Sequence, residues 1–382
     1  MRPRPRVLGF LRDPRSYPDA SRRVTVVETH FAWVFLTRTL ACKLKKPLRQ
    51  GRMDYRTLAQ RRRGCREEVR LNRRLAPDVY IGCWPLGEDQ RGGLRLGRGQ
   101  RVLDWLVVMR RLGATRMLDA ALRRRAVTSR DVVRLVDCLA RFFARAPAAR
   151  LSPARHVARL QRQGAGDAAE VLAVHALWRP RLRRVRVLQR DFAALRCAAL
   201  GARAAQVVEG HGDLRPEHIW LGPPVAVIDC LEFDRRLRLR DPAEELAYLR
   251  LELGRLGQAR LGRRLCVLVL DRLDAGPGEA LICHYMSLQA LARAKLAAWH
   301  VGDPQFPDPR PWLRRAASYL ADAQRSAERA LRLARAEDAA VAGSVLRVRR
   351  PVQQQRRERA PAAHARERLG QQRRDRQDRH AG

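Results

Sequence analysis

The 382-residue sequence lacks the features that define several large protein classes. No stretch approaches the roughly 18 consecutive apolar residues that a membrane-spanning helix needs. Residues 1–20 contain five arginines and four prolines but no apolar run of about 7–15 residues, so we expect no cleavable signal peptide. These absences predict a cytoplasmic protein with no membrane partner.

Cysteines with the spacing of a metal site are also missing. The sequence has no Cys-x-x-Cys motif and no cluster of cysteines and histidines. Single cysteines of this kind are typical of reduced, mostly buried thiols in a cytoplasmic protein. The eight cysteines are Cys42, Cys65, Cys83, Cys138, Cys197, Cys230, Cys266 and Cys283.

Lysine is scarce, although the formal net charge of the chain is +40. Only four of the 79 basic residues are lysines, and the 75 arginines are spread from Arg2 to Arg379. This spread, beside abundant alanine and leucine, indicates a compositional background rather than a binding stripe for a polyanion. Lys43, Lys45 and Lys46 lie close together and stand out from that background.

Aromatic residues make up only 5% of the chain, and no helix-turn-helix signature occurs. Sequence-specific RNA recognition stacks bases on aromatic side chains. We therefore expect no specific nucleic-acid partner. A nucleic-acid-binding protein is kept as the second alternative because of the net charge alone.

The residues that are present predict an α+β fold. Val24–Thr29, Ala32–Thr37 and Leu40–Lys45 are rich in β-branched and aromatic residues, which predicts an antiparallel meander. A long helix is predicted from an N-cap at Asp54 to Leu75, where apolar residues recur at helical spacing. Further strands are predicted at Val79–Leu86, Gly93–Leu96 and Val102–Met109.

Beyond Arg111 the pattern is helical, with one break at Val207–Phe233. The predicted organisation is an N-terminal extension (1–20), a strand-rich N-lobe ending in a hinge (21–110), a helical C-lobe (111–342) and an Arg-rich disordered tail (343–382). The hinge is placed within Leu103–Arg110. Helices are predicted at Met117–Arg124, Ser129–Arg145, Pro153–Gln163, Ala168–Trp178, Val187–Ala204, Pro242–Leu256, Arg260–Leu273, Glu279–His300 and Pro311–Ala336.

The break in the helical half carries the strongest chemical signal. Asp213 and Asp229 each follow a short apolar run and are separated by 16 residues. Two such loops can place two carboxylates at one site, one to hold a metal ion and one to accept a proton. Protein kinases use this logic for phosphoryl transfer.

The same segments resemble those of a known family. His211–Ile219 resembles the His-Gly-Asp motif of aminoglycoside phosphotransferase-like kinases, and Val227–Glu232 resembles their metal-binding segment. The resemblance covers about residues 20–335 and implies a protein-kinase-like bilobal fold that transfers the γ-phosphate of ATP to a hydroxyl group of a small molecule. Five further motifs resemble those of a bacterial branch of this family, whose members are often fused to a P-loop domain. They are Glu28–His30, Trp33–Leu36, Lys43–Pro47, Glu68–Leu75 and Arg293–Lys295.

That branch's second domain is expected to be absent, because the sequence contains no Gly-x-x-x-x-Gly-Lys-[Ser/Thr] motif. A glycine-rich phosphate loop is missing as well. The turn between the first two predicted strands, Glu28–Ala32, has no glycine, so backbone amides would have to hold phosphate in a tighter turn.

The resemblance implies a role for each polar residue of the two loops. Asp213 would accept the proton of the acceptor hydroxyl, and His211 would hold the loop. Asp229 would bind Mg²⁺, with Glu232 as a further or alternative ligand. Arg215 stands where protein kinases carry a lysine that faces the γ-phosphate.

His218 departs from the family pattern, in which an asparagine ligates the second metal ion. Imidazole is a poor ligand for Mg²⁺ and suits softer metals. The departure leaves several alternatives open: catalysis with one metal ion, a preference for Mn²⁺, slow turnover, or a nucleotide-binding pseudokinase or regulatory module without turnover.

The lysine cluster fits the same site. Lys43 stands in the Ala-x-Lys pattern of the third kinase strand, where the lysine reaches the nucleotide phosphates, and Lys45 shares its strand face and is the alternative. At about 100° per residue, Glu68 lies roughly 60° from Cys65 on the predicted helix, whereas Glu67 lies on the far side. Glu68 is therefore the predicted partner of Lys43.

The sequence contains no motif that identifies the phosphate acceptor. A chain at +40 would repel polycations such as aminoglycosides over the Debye length. We therefore expect a neutral or anionic hydroxyl compound, or a protein, as the acceptor. Asp241 is predicted to cap a helix and to anchor the loop that carries Asp213.

Overall fold

The computed structural model describes residues 5–51, 53–303 and 306–340. Its N-terminal part comprises α1 (Pro5–Arg12), β1 (Thr25–Glu28), β2 (Ala32–Leu36), β3 (Leu40–Lys45), β4 (Arg49–Gln50), β5 (Met53–Asp54), α2 (Leu58–Asn72), β6 (Tyr80–Glu88), β7 (Leu94–Leu96) and β8 (Arg101–Arg110). Six of these strands form one antiparallel sheet in the order β1-β2-β3-β8-β6-β7, and β4 pairs with β5.

One helix covers each face of this sheet. Successive residues of a strand point to opposite faces. Cys42 and Leu44 of β3 are fully buried on the face that packs against Leu11 of α1. Ala41 belongs to the other face, where it packs in a cluster with Cys65 of α2. Helix α1 was not predicted from the sequence.

Helix α2 begins after Thr57 rather than at the predicted N-cap Asp54. Thr57 Oγ1 accepts the N–H of Gln60 at 3.2 Å, and Gln60 Oε1 accepts the N–H of Thr57 at 2.9 Å. This reciprocal capping box satisfies two amide donors at the start of the helix. The prediction of Asp54 was wrong because that residue lies in β5, three residues earlier.

The strand predicted at Val102–Met109 is β8, and the hinge predicted within Leu103–Arg110 overlaps this strand and stays a prediction. Leu106–Val108 lies within β8, and its three side chains are fully buried between β3 and β6. The Arg111 amide still donates to Thr39 O at 2.7 Å, so the connection to the helical part begins after Arg111.

The rest of the described chain is mainly helical. Short strand pairs interrupt it: β9 (Val208–Glu209) with β12 (Leu239–Arg240), and β10 (Ile219–Trp220) with β11 (Ala226–Val227). The helices are α3 (Leu118–Arg123), α4 (Ser129–Arg145), α5 (Pro153–Val174), α6 (Arg179–Leu195), α7 (Cys197–Ala202), α8 (Pro242–Arg255), α9 (Ala259–Arg272), α10 (Glu279–Ala298) and α11 (310–340).

Helix α5 is continuous where two helices were predicted. Gly164 lies at the predicted break, and a Cβ there would come within 3.1 Å of Leu288 and of Gln189. The glycine therefore serves close packing between helices instead of ending one. A core of buried residues joins α5, α6, α8, α10 and the first part of α11.

The predicted α+β fold class is confirmed, with a small antiparallel sheet and one long helix followed by a helical part. The chain forms two units, residues 1–330 and 331–382, and the described residues 331–340 of the second unit are helical. The predicted tail, 343–382, lies outside the described residues. Among those described, no helix has both the length and the apolar character needed to cross a bilayer.

Candidate active site

Two short strand pairs bring the predicted site residues together. The loop between β9 and β10 carries Asp213, and Asp229 lies two residues after the end of β11. Because Ile219 pairs with Val227 in the antiparallel register, the residues just before β10 and just after β11 meet at one end of this ribbon. His218 and Ile228 are joined there by a backbone hydrogen bond of 2.9 Å.

Asp213 has one neutral hydrogen-bond donor and one charged neighbour. The Tyr248 hydroxyl donates to its Oδ1 at 2.9 Å, and Arg215 Nε lies 3.3 Å from its Oδ2. Burial raises the pKa of Asp213, but Arg215 and His218 lower it more, so the net shift is downward. The side chain is therefore ionised at neutral pH and able to accept a proton.

His211 fixes the backbone of the same loop. It is fully buried, with Nε2 donating to Ile228 O at 3.0 Å and Nδ1 accepting the N–H of Asp213 at 3.2 Å. Burial lowers the pKa of His211 to about 4. The ring is neutral and holds the loop through both of its nitrogens.

Glu245 of α8 holds the loop that carries Asp213. Its Oε1 accepts the N–H of Gly212 at 2.8 Å, and Gly212 has a φ of +87° that favours glycine. A Cβ on Gly210 would lie only 2.3 Å from Glu245 Oε1, so glycine is required for this close approach. The sequence placed Glu245 in a motif that resembles the family's helix start after the metal loop, but it assigned this residue no contact with the Asp213 loop.

Asp241 caps α8, as the sequence indicated. Its side chain accepts the N–H of Ala243 at 2.9 Å. Its other contacts are with Arg203, at 2.7 Å, and with the Tyr285 hydroxyl, at 3.2 Å. These partners lie on α10 and just after α7, so the contact to the Asp213 loop comes from Glu245 instead.

Asp229 adopts a backbone conformation that is rare for a residue with a side chain. Its φ is +63°, in the left-handed region. The Asp229 N–H donates to the Tyr80 hydroxyl at 3.1 Å, and the next N–H, of Cys230, donates to Asn72 Oδ1 at 2.9 Å. Hydrogen bonds from α2 and β6 thus hold the turn that leaves the Asp229 side chain 45% exposed.

Lys43 links this aspartate to helix α2. Its Nζ lies 2.7 Å from Asp229 Oδ1 and 2.9 Å from Glu68 Oε1. Burial lowers the pKa of Lys43, yet the two carboxylates raise it further, and the net pKa lies well above the usual value. Burial alone would raise the pKa of Asp229, but Lys43 and His218 depress it.

Lys45 shares Glu68 but is enclosed. Its Nζ contacts Glu68 Oε2 and Glu232 Oε1, and only 2% of its side chain is exposed, against 18% for Lys43. The Tyr55 hydroxyl also donates to Glu232 Oε1, at 2.6 Å. Of the two candidate lysines, Lys43 is the one with access to the open side of the site.

His218 joins the two aspartates. Its Nδ1 lies 2.9 Å from Asp213 O and so carries the proton of that hydrogen bond, and its Nε2 lies 3.5 Å from Asp229 Oδ2. Arg215 Nη2 lies 3.2 Å from the same Nε2. The ring therefore presents a nitrogen acceptor, rather than an oxygen, between Asp229 and Arg215.

Mg²⁺ prefers oxygen ligands, and the candidate ligand atoms of the site can be compared with this preference. Asp229 offers a partly exposed carboxylate and fits this requirement. Glu232 is turned to Lys45 and Tyr55, and His218 offers nitrogen. The described residues thus fit one hard cation at Asp229 and do not provide a second oxygen site at position 218.

Arg293 of α10 was quoted only for the family resemblance, yet it faces the same site. Its guanidinium lies 5.9 Å from the centre of the Tyr248 ring, and 14% of its side chain is exposed. Burial lowers the pKa of Arg293, but Tyr248 and Asp213 raise it further, so the group is a fixed cation beside Asp213.

A cavity of about 1450 Å³ lies next to this constellation. Tyr55 and Glu232 form part of its wall, but Lys43, Asp213 and Asp229 do not. It is thus a neighbouring surface rather than the site itself. Its basic lining residues are Arg62, Arg63, Arg66, Arg70, Arg235 and Arg238.

Comparison with known proteins gives relatives by sequence and by structure. No family model matches the sequence. Uncharacterized proteins of Mycobacterium tuberculosis and Mycobacterium bovis are 31% identical over 281 residues, which is 72% of this chain and 54% of theirs. The chain thus spans about half the length of the curated relatives it matches.

Solved structures similar to this chain include a choline/ethanolamine kinase family protein from Mesorhizobium loti (TM-score 0.47, 13% identity, 86% of this chain and 99% of that one). An aminoglycoside 2′-phosphotransferase-IIIa mutant in complex with GDP has a TM-score of 0.45, with 14% identity over 83% of this chain and 97% of that one. A glucosamine kinase in complex with glucosamine, ADP and inorganic phosphate has a TM-score of 0.43, with 16% identity over 83% and 81%. The solved structures similar to this chain therefore include kinases of the group that its sequence motifs resemble.

Proposed function

We propose that the protein is a cytoplasmic ATP-dependent phosphotransferase that transfers a γ-phosphate to a hydroxyl group, with residues 21–110 as its N-lobe and 111–342 as its C-lobe. The observation that supports this most strongly is the chain of contacts from Glu68 through Lys43 to Asp229, beside an ionised Asp213. In protein kinases an ion pair between a strand lysine and a helix glutamate, and a metal-binding aspartate, must both be in place for phosphoryl transfer.

In the proposed reaction Asp213 accepts the proton of the acceptor hydroxyl. The acceptor oxygen forms a bond to the γ-phosphorus while the bond from that phosphorus to the leaving oxygen of ADP breaks. Lys43 holds the α- and β-phosphates, and Arg215, 3.3 Å from Asp213, stabilises the charge on the transferred group. Tyr248 keeps the Asp213 carboxylate oriented.

Asp229 would hold the Mg²⁺ ion, with Mn²⁺ as the alternative. When bound, such an ion neutralises negative charge on the nucleotide phosphates. Lys43 forms an ion pair with Asp229 Oδ1, so the lysine orients this carboxylate. His218 lies on the other side of Asp229, with Nε2 3.5 Å from Oδ2, and its Nδ1 donates to Asp213 O in the neighbouring loop.

The charge near Asp213 supports a neutral or anionic acceptor. Arg215 and Arg293 are both fixed cations beside this carboxylate. A polycationic acceptor would have to bring its charge next to two guanidinium groups, which is unfavourable at such distances. We therefore propose a hydroxyl compound that carries no positive charge near its reacting group.

A nucleotide-binding module without turnover is the second candidate. The observation that favours it is His218, which places a nitrogen where the resemblance expects an amide oxygen. Such a module would keep the Lys43, Glu68 and Asp229 contacts and bind nucleotide, but it would not release phosphate.

The two candidates are separated by measuring ATP-dependent thermal stabilisation and phosphate release in Mg²⁺ and in Mn²⁺. Wild type is compared with Asp213→Asn, Asp229→Asn and His218→Asn, and Asp137→Asn is the control because Asp137 pairs on the surface with Arg272. We expect Asp229→Asn to lose the metal-dependent stabilisation. Asp213→Asn should keep it and lose about 10²-fold or more of the turnover.

His218→Asn should increase turnover in Mg²⁺ if the ligand type limits the rate. Nucleotide binding without turnover in wild type and in His218→Asn would select the module without catalysis. The absence of any nucleotide effect on wild type in either metal would contradict both candidates.

A further inference from the structure

Three side chains far apart in the sequence meet at the turn between β1 and β2. His30 Nδ1 lies 2.8 Å from Asp303 Oδ2, and His300 Nδ1 lies 3.8 Å from the same oxygen. One ligand atom from each residue lies within 4.8 Å of the others. His30 belongs to the turn without glycine, whereas His300 and Asp303 follow α10.

The two imidazoles are partly shielded from water and are held in place by their neighbours. The exposed fractions of the side chains are 22% for His30, 24% for His300 and 9% for Asp303. The His300 ring packs 4.0 Å from the Trp312 ring and 5.0 Å from the Phe306 ring, measured between centroids. The cluster is thus a built pocket rather than a group of freely moving surface side chains.

The hydrogen-bond geometry of the histidines is incomplete. Within the described residues, Nδ1 of His30 and Nδ1 of His300 are buried, and neither makes a well-aligned hydrogen bond. The approach of His30 to Asp303 is close but not directed along an N–H bond.

We propose that His30, His300 and Asp303 form a binding site for a divalent transition-metal ion, with Zn²⁺ as the expected occupant. Imidazole nitrogen and carboxylate oxygen are usual zinc ligands, at about 2.0–2.2 Å from the ion. Around a tetrahedral ion such ligand atoms lie roughly 3.3–3.5 Å apart. The 2.8 and 3.8 Å separations from Asp303 Oδ2 lie on either side of that value, and all three ligand atoms lie within 4.8 Å of one another, so binding of the ion would adjust these side chains.

A bound ion would fasten the β1–β2 turn to the segment after α10. The three protein ligands leave a fourth tetrahedral position, which water would fill. None of the three residues is assigned to the proposed phosphotransferase reaction, and zinc binding is measured without nucleotide, so its outcome does not depend on that activity.

The proposal is tested on the full chain, purified without an affinity tag, stripped with a chelator and kept free of nucleotide. Zinc content is measured after dialysis, and affinity is measured by competition with a chromophoric chelator. The variants are His30→Gln and His300→Gln. The matched control is His175→Gln, because His175 is also partly buried and stacks on Trp178 with 4.6 Å between ring centroids.

We expect one zinc ion per wild-type chain, an affinity at least tenfold weaker in both cluster variants, and no change in His175→Gln. Cobalt bound to wild type should show the visible absorption of tetrahedral coordination without a thiolate charge-transfer band, which excludes the eight cysteines as ligands. No zinc binding by wild type, or equal affinity in all four proteins, would overturn the proposal. The histidines and Asp303 would then form only an ion pair. The cobalt spectrum needs no variant, so a misfolded variant would not decide the result.

Discussion

Among single residues, Glu245 has an unusual environment for a carboxylic acid. Its side chain is buried, Oε1 accepts the Gly212 N–H, and Oε2 has no hydrogen-bond partner within the described residues. Burial raises the pKa of Glu245 to about 7, and the hydrogen bond to Gly212 only partly opposes this. The folded protein therefore takes up a proton at Glu245 at pH values where the unfolded chain has released it.

This proton uptake makes stability depend on pH. Because the folded pKa is the higher one, the contribution of Glu245 is fully present below about pH 4.5 and is lost as pH rises through about 7. Between pH 5 and pH 8 the free energy of unfolding should fall by about 2–3 kcal/mol more in wild type than in Glu245→Gln. Urea unfolding at both pH values measures the difference, and parallel pH profiles would contradict it.

Local geometry explains which residue contacts could be predicted from the sequence. The helical angle that separates Glu68 from Glu67 is a property of the chain itself, and Glu68 does contact Lys43 while Glu67 pairs with Arg70. Tyr80 and Glu245 reach the site only through tertiary packing, and their sequence neighbourhoods carry no signal of it.

At the scale of elements, α1 completes the core of the sheet. This eight-residue helix buries Val7 and Leu11 on the face opposite α2, and Tyr17 follows in the same cluster. Eight residues give barely two turns of apolar periodicity, which is too short for a reliable helix prediction and too short for an independently stable helix. Packing against the sheet therefore maintains α1.

Removing the main contact of α1 should cost stability. Leu11 is fully buried, so Leu11→Ala should lower the free energy of unfolding by about 2–5 kcal/mol, through lost burial and the cavity left behind. Leu177→Ala is the matched control, since Leu177 is 83% exposed and should change the free energy by less than about 0.5 kcal/mol. Chemical unfolding measures both variants. Equal effects would show that α1 does not belong to the core.

At the scale of the whole molecule, charge is the dominant feature. The 39 acidic residues are far outnumbered by 79 basic ones, although many arginines within the described chain form ion pairs, such as Arg238 with Glu209. The surplus positive charges repel one another across the folded surface, and this repulsion opposes compactness. The surplus of positive charge follows from the composition alone, so it could be predicted without knowledge of the fold.

Screening should therefore stabilise the protein. Raising NaCl from about 0.05 to about 0.5 M shortens the Debye length below about 5 Å, and the unfolding midpoint should rise because repulsion weakens more than the exposed ion pairs do. The midpoint is measured by thermal unfolding. A parallel series in sodium acetate at matched ionic strength should give the same rise, and a falling midpoint in both salts would contradict the expectation.

The C-terminal end of α2 is tied to the loops that carry the site. Asn72 accepts the Cys230 N–H, and Arg74 donates to Glu209 O at 2.7 Å and to Gly210 O at 2.8 Å. These bonds fix this end of the helix to the site loops. Any rotation of α2 about it would displace the Thr57 end, roughly 22 Å away along the axis, more than Glu68, which lies about one turn away. The Lys43–Glu68 contact thus lies close to the fixed end of α2, and it would persist if the Thr57 end of the helix moved.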